Sequence, residues 1–247
     1  MDRSDRSGIA RFVWDQAVTV SETVPLSGAP LQHALVRRVR SGDAVQLLDG
    51  RGTVASGTVA SASKTRITVT IARVESVPRP MALEALVPVA DRDRMLWAAE
   101  KCVELQVTSW RPVLFARSRS VSPRGEGAKF AVKLHARMCA ALEQCGGAWL
   151  PDTHPEAEFV DALQRVRSDG ARLVLDASGA SIAAAVTNGP VALAVGPEGG
   201  FEPQELESAT AMGWLAISLG PTTLRFETAI VGGAAVVRAA QLPSGSV

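Results

Sequence analysis

The sequence predicts a two-part chain, with a small β-rich barrel or meander over residues 1–77 and an α/β domain with a mostly parallel sheet over residues 78–247. Three observations carry this expectation. Short runs of β-prone residues separated by turn signals fill residues 18–74. A break follows at Pro78-Arg79-Pro80, where two prolines disfavour regular structure. Beyond it, apolar strand-like runs alternate with stretches of helical period.

The first part reads as strands at Val18-Thr19-Val20, Ala44 to Leu48, Thr53 to Ala60 and Arg66 to Val74, with Asp49-Gly50-Arg51-Gly52 as a hairpin turn between two of them. One helix interrupts them, from about Ala29 to Arg40, and Ser41-Gly42-Asp43 ends it. In the second part the strands are Leu83–Val89, Pro112–Ala116, Arg172–Asp176, Val191–Val195 and Leu215–Leu219. Between the first two lies a helix from about Arg92 to Leu105, with Met95, Ala98, Ala99, Cys102 and Leu105 at helical spacing. Further helices run from about Ala128 to Gln144, from Pro203 to Met212 and from about Ala229 to Gln241. The last contains Gly232-Gly233, and each interior glycine costs roughly 1 kcal/mol relative to alanine. Close approach of another backbone, in the sheet or in a second subunit, is the physical use of such a pair.

Composition narrows the function classes. The polar start Met1-Asp2-Arg3-Ser4-Asp5-Arg6 lacks the apolar core of a secretory signal, so export is not expected and the chain reads as cytoplasmic. The longest uncharged run, Ala177 to Pro197, is broken by Asn188, Gly189 and Pro190, which argues against a membrane span. Cys102, Cys139 and Cys145 form no CxxC pair and read as reduced core or near-core thiols. His33, His135 and His154 lack ligand spacing, so no metal is expected. The net charge of +1 conceals an asymmetry: residues 1–75 carry ten Lys/Arg against seven Asp/Glu, residues 76–150 eleven against seven, and residues 151–247 five against eleven. A polyanion would dock on the basic side, although solvated charge alone would look the same.

Two stretches fall where an α/β sheet places ligands, beyond the carboxyl ends of strands. In Val195-Gly196-Pro197-Glu198-Gly199-Gly200-Phe201 the glycines let a ligand approach the backbone, whose N–H groups can bind polar atoms. The loop matches neither GxxxxGK[ST] nor GxGxxG, which disfavours a nucleotide-binding dehydrogenase. In Leu219-Gly220-Pro221-Thr222-Thr223-Leu224-Arg225-Phe226-Glu227-Thr228-Ala229, the charged Arg225 and Glu227 sit amid apolar sequence and are costly to bury without partners. They serve chemistry, pair with each other, or cap the last helix.

In combination, GPEGGF, a helix bearing Glu205 and SLGPTTLRFETA resemble the carboxy-terminal signature of the SPOUT methyltransferases, specifically the ribosomal RNA small subunit methyltransferase E family. Upstream, Lys101-Cys102-Val103-Glu104-Leu105, Arg117-Ser118-Arg119-Ser120 and Glu143-Gln144-Cys145-Gly146 resemble that family's KATEL, SERS and EQxG segments. Arg11-Phe12 looks like its opening RF, and His33 through Asp43 with Leu48-Asp49-Gly50-Arg51-Gly52 like its amino-terminal pattern. The chain departs from the family at Phe226 (usually Thr), Thr222 (usually Arg), Gln106 (usually Gly) and Gly147 (often Arg).

The resemblance implies a PUA-like β-barrel that helps dock RNA and a trefoil-knotted α/β domain that binds S-adenosylmethionine and forms a homodimer. It implies methylation at N3 of a uridine in 16S ribosomal RNA, within the 30S subunit. Gly196, Pro197, Glu198, Gly199, Gly200, Leu219, Gly220 and Leu224 are then the cofactor-binding candidates. Arg225 is the candidate for stabilising charge on the uracil oxygens and Glu227 for accepting the N3 proton, with Glu198 as the competing carboxylate. Candidate RNA contacts are Arg11, Arg37, Arg38, Arg40, Lys101, Arg117 and Arg119. Two alternatives stay open: a SPOUT methyltransferase with another RNA target, and a non-catalytic RNA-binding or ribosome-assembly protein on the same fold.

Overall fold

The computed structural model describes residues 9–118, 124–166, 169–186 and 188–242, so the candidate Arg119 lies outside the described residues. The chain divides into two compact units, Met1–Arg79 with Cys139–Leu150, and Pro80–Met138 with Pro151–Val247. The first therefore takes in a stretch that a linear cut at residue 77 would assign to the second domain.

In the first unit, β1 (Ala10–Val13), β2 (Thr23–Pro25), β3 (Ala44–Leu48), β4 (Thr53–Ala62) and β5 (Ile67–Ser76) pair in the order β1-β3-β4-β5-β2. Only β1 and β3 run parallel. Alternate residues of β5, Ile67, Val69 and Ile71, are buried with Phe12, Val45 and Leu47 in one core, as a sheet with one covered face requires. The expected strand at Val18–Val20 does not form: Glu22 accepts hydrogen bonds from the Thr19 N–H and hydroxyl at 2.9 and 3.0 Å, and this local turn displaces the extended chain.

Helix α1 (Gly28–Val36) stops short of the expected Arg40. Arg38 adopts a left-handed φ of 55°, Val39 N–H bonds to Ala34 O and Arg38 N–H to Leu35 O, both at 3.1 Å. That pattern closes the helix in a Schellman motif, with arginine where glycine is usual. Within the same unit, Glu143 is 6 % exposed and accepts from Val13 N–H at 2.9 Å while pairing with His33 Nδ1 at 2.8 Å. The Arg11 guanidinium lies against Gly146, where a Cβ would come within 2.7 Å of it. These segments, which resemble family motifs, thus brace the first unit.

The second unit is built on β6 (Leu83–Pro88), β7 (Ser109–Leu114), β8 (Asp152–Thr153), β10 (Ala171–Ser181), β11 (Val191–Val195) and β12 (Leu215–Ser218), in the order β12-β10-β11-β6-β7-β8, with β9 (Ala157–Glu158) also pairing with β7. Every pairing is parallel. All five β11 residues are buried, because helices cover both faces of such a sheet. Ala192 and Ala194 pack with Phe159, Leu163 and Ala209 of α4 (Phe159–Gln164) and α6 (Pro203–Ala211). On the other face, α2 (Arg92–Glu104) contacts α7 (Phe226–Gln241), which lies on β11 and β6.

The remaining helices are α3 (Gly127–Cys145) and the single turn α5 (Ile182–Ala185). The α7 helix begins at Phe226 rather than near Ala229, its N-cap Arg225 keeping an extended backbone. Strand β7 starts three residues before the expected Pro112. Cys102 is fully buried, and burial pushes its thiol up to about 12, so it serves as a neutral apolar filler. Among the described residues, no helix is long and apolar enough to cross a membrane and no cluster of side chains could hold a metal ion.

Candidate active site

Parallel strands end together, and the loops that follow neighbouring strands form a crevice. Here β11 and β12 end, and β10 between them shifts register after Leu175, around a cavity of about 250 Å³. The segment Val195–Glu198 with Gly200 and Phe201 forms one wall, and Ile217–Gly220 with Thr222, Thr223 and Leu224 forms another. Leu175, Asp176 and Ala177 supply a third, and Phe226 and Ala229 close it from the first turn of α7. The two loops singled out in the sequence thus converge on one space.

The first loop holds its shape through contacts beneath it. Gly200 N–H bonds to Pro197 O at 2.8 Å, closing a turn in which Gly200 has a φ of 71°. Under Gly196 lies Phe201, so near that a Cβ would meet its ring at 2.8 Å. Phe201 in turn packs with Phe115 and Phe159 at centroid distances of 5.5 and 5.6 Å. Arg117, a candidate RNA contact, donates to Gly199 O and to Glu202, both at 2.7 Å, and so braces this loop. Glu205 accepts from Glu202 N–H at 2.8 Å and from Ala116 N–H at 3.0 Å, tying the start of α6 to the chain after β7.

Of the cofactor candidates, Gly196, Pro197, Glu198, Gly200, Leu219, Gly220 and Leu224 line the cavity, while Gly199 lies against Arg117 instead. Neither Arg225 nor Glu227 is part of the lining. Arg225 is exposed, and its side chain has no hydrogen bond or ion pair among the described residues. Glu227 is only 12 % exposed, and it pairs with Arg94 across 3.9 Å from Oε1 to Nε. Its other oxygen, Oε2, is buried with no hydrogen-bond partner among the described residues. The two residues therefore do not pair with each other, and neither side chain caps α7.

Arg94 is the residue that sequence reasoning missed. It stands in the first turn of α2, behind the N-cap Asp91, and its guanidinium also pairs with Glu198. A cation in the first turn of a helix opposes the helix dipole, and that unfavourable placement is the signal that could have drawn attention to it. Asp176 was missed as well: it ends an apolar run at the cavity wall, and its Oδ1 accepts from Ser178 N–H at 2.9 Å.

Other RNA candidates differ in how far they are engaged. Lys101 pairs with Glu100 and Glu104 at 2.9 and 2.7 Å, and Arg11 donates to Gln46 at 3.0 Å. Arg37, Arg38 and Arg40 are exposed in the first unit, and their side chains have no partner among the described residues.

The chemistry on offer is that of an apolar slot with carboxylates at its edge. Leu175, Val195, Ile217, Leu219, Leu224 and Phe226 can take a flat heterocycle, and loop backbone groups can take its polar edge. Asp176 favours a cationic group, whereas the charge of Glu198 is already shared with Arg94. S-adenosylmethionine, with an adenine and positive charges on sulfur and nitrogen, fits that set of donors and walls.

Comparison with known proteins agrees with this reading. Residues 77–238 match a model described as an RNA methyltransferase domain, and residues 28–72 one described as an RNA methyltransferase PUA domain. The chain is 31 % identical over 207 residues to ribosomal RNA small subunit methyltransferase E of Mycobacterium tuberculosis, covering 79 % of this chain and 78 % of that protein. To the Synechocystis protein of the same name it is 26 % identical, covering 85 % and 71 %. Among solved structures, ribosomal RNA small subunit methyltransferase E from Neisseria gonorrhoeae, bound to S-adenosylmethionine, superposes with a TM-score of 0.85 at 27 % identity, covering 94 % of this chain and 97 % of that one. A methyltransferase from Legionella pneumophila in complex with the same cofactor gives 0.78 at 25 %, covering 94 % and 98 %.

Proposed function

Because the chain belongs to the RNA methyltransferase family that includes ribosomal RNA small subunit methyltransferase E, we propose that it methylates N3 of a uridine in 16S ribosomal RNA, giving 3-methyluridine, with S-adenosylmethionine as donor. The observation that carries this reading is the convergence of the two glycine-bearing loops on one cavity at the carboxyl ends of β11 and β12, beside the register shift of β10. When bound, the cofactor supplies an electrophilic methyl group carried on a sulfonium.

The chain's own residues have three tasks. Gly196–Glu198, Gly200, Leu219, Gly220 and Leu224 hold the cofactor through backbone polar groups and apolar walls. Uracil N3 is protonated at neutral pH, so its proton must go to a base as the new N–C bond forms. Glu227 is that base in this reading: its carboxylate is largely desolvated and one oxygen lacks a protein donor. Arg225, exposed and unengaged among the described residues, stabilises the negative charge that develops on the uracil oxygens. In-line displacement requires the acceptor nitrogen and donor carbon within about 3–3.5 Å, so the two loops act mainly by positioning.

The exposed Arg37, Arg38 and Arg40 hold RNA phosphates, and Lys101, Arg117 and Arg119 are secondary contacts. A trefoil knot, a homodimer, assembled 30S subunits as substrate and a cytoplasmic location are part of the proposal on the strength of the family resemblance.

The test is incubation of unmodified 30S subunits with methyl-labelled cofactor, followed by nucleoside analysis. Label in 3-methyluridine is the expected result. Label in another nucleoside overturns the specificity, and calorimetric titration showing no cofactor binding overturns the enzymatic reading.

A further inference from the structure

A half-buried arginine in the first turn of α2 is an expensive arrangement. It sets a cation at the positive end of the helix dipole and takes part of that charge out of water. Two carboxylates from distant parts of the chain offset the cost, Glu198 of the cofactor loop and Glu227 of α7, and the contacts to them are unequal. The guanidinium hydrogen-bonds to Glu198. To Glu227 Oε1 it stands at 3.9 Å, an ion pair without a hydrogen bond, and Oε2 has no donor at all among the described residues. A buried carboxylate oxygen without a donor keeps its desolvation cost with no hydrogen bond to offset it, so a group held in that way calls for an explanation other than stability.

The other charges nearby do not supply one. Of the elements packed against α7, β11 and α5 carry no ionisable side chain, and the only one on β6 is Glu84, at its amino end and away from the cavity. On α2, Arg92 pairs with Asp93, Lys101 pairs with both Glu100 and Glu104, and Glu100 also pairs with Arg137 of α3. Phe226 and Ala229 point into the cavity, which turns Glu227, about 100° further round the helix from Phe226, toward α2.

We propose that Arg94 is a positioning residue of the methyl-transfer site: anchored on Glu198, it orients Glu227 through one oxygen and leaves the other, buried beside the cavity, without a protein donor, as the atom that takes the uracil N3 proton once seated RNA opens access to it. The inference rests on Glu227 being the base. Arg94 thereby links the loop that holds the methyl donor to the group that activates the acceptor, so the two are registered against one rigid guanidinium. Lysine, a point charge with no fork, could serve one carboxylate at a time.

The experiment is a double-mutant cycle in the full-length protein, read as single-turnover methyl transfer at saturating cofactor and RNA. Arg94→Met is expected to lower the rate about tenfold to a hundredfold, less than the roughly 10²–10⁴ that a general base contributes, because the base is misoriented rather than removed. Its affinity for S-adenosylhomocysteine, by calorimetry, should stay within about threefold, and Arg94→Lys should recover part of the rate. In a Glu227→Gln background, Arg94→Met should cost nothing further, because the group it orients is gone. The same loss in both backgrounds overturns the proposal, since that is what a bracing role alone would give. If Glu227→Gln itself keeps full activity, it is the assignment of the base that fails. Should Arg94→Met not fold, Arg94→Lys and Arg94→Gln in the two backgrounds carry the same cycle.

Discussion

Phe226 stands where the family resemblance leads one to expect threonine, and its ring is 2 % exposed at the floor of the cavity. It does two jobs, filling the junction of α7 with the sheet and giving the slot an apolar end. Phe226→Thr should lower stability by about 2–4 kcal/mol, somewhat less than a phenylalanine-to-alanine change in a core. Urea denaturation measures this, and an unchanged midpoint would show that the ring carries no packing role. The roles of Arg225, Arg94 and Glu227 illustrate how much of a site is legible residue by residue. That Arg225 and Glu227 are costly charges in apolar sequence was readable. That Glu227 pairs with a residue from another helix and Arg225 with none among the described residues was not, because a charge does not announce its partner.

Elements with a strong period could be read, and their ends could be read only in part. The long runs Leu83–Pro88, Arg92–Glu104 and Val191–Val195 follow from hydrophobic patterning. The four-residue α5 and two-residue β8 and β9 are shorter than any period that could reveal them. The end of α2 makes the same point, since Gln106 takes a left-handed φ of 55° with Val107 N–H on Cys102 O at 2.8 Å. There the C-cap geometry usually filled by glycine persists, at a cost of about 1–2 kcal/mol. Half-buried Arg238 of α7, whose pKa burial lowers to about 10, donates to Leu105 O at 3.0 Å beside it. The glycine pair in α7 can be separated by substitution. A Cβ on Gly233 would meet Leu193 at 2.6 Å, whereas one on Gly232 would come no nearer than 3.4 Å to Leu219. Gly232→Ala should therefore stabilise the protein by about 0.5–1 kcal/mol, and Gly233→Ala should fail to do so or destabilise it. Thermal unfolding compares the two, and an equal gain in both would contradict the close approach of α7 to β11.

For the molecule as a whole, charge is the property with a measurable consequence. The amino-terminal 150 residues carry the excess of Lys and Arg, and the structure leaves Arg37, Arg38 and Arg40 exposed and unengaged among the described residues. Replacing all three with glutamine should flatten the dependence of log K on log salt for a 16S RNA fragment, by up to about 0.7–0.9 for each phosphate that the variant no longer neutralises. Fluorescence anisotropy across a salt series reads the slope, and an unchanged slope removes this cluster from the RNA interface. By itself the sequence determined the α/β class, the order of the major elements, the two glycine-bearing loops and the family, since all of these are written in local patterns of apolar spacing and short motifs. Tertiary structure decided that the ends of β11 and β12 meet the middle of β10 around one cavity, that Cys139–Leu150 joins the first unit, and that Arg94 meets Glu198 across 104 residues of sequence. Which distant groups become neighbours depends on how the sheet orders its strands, and strand order is a property of the folded chain that no local pattern encodes.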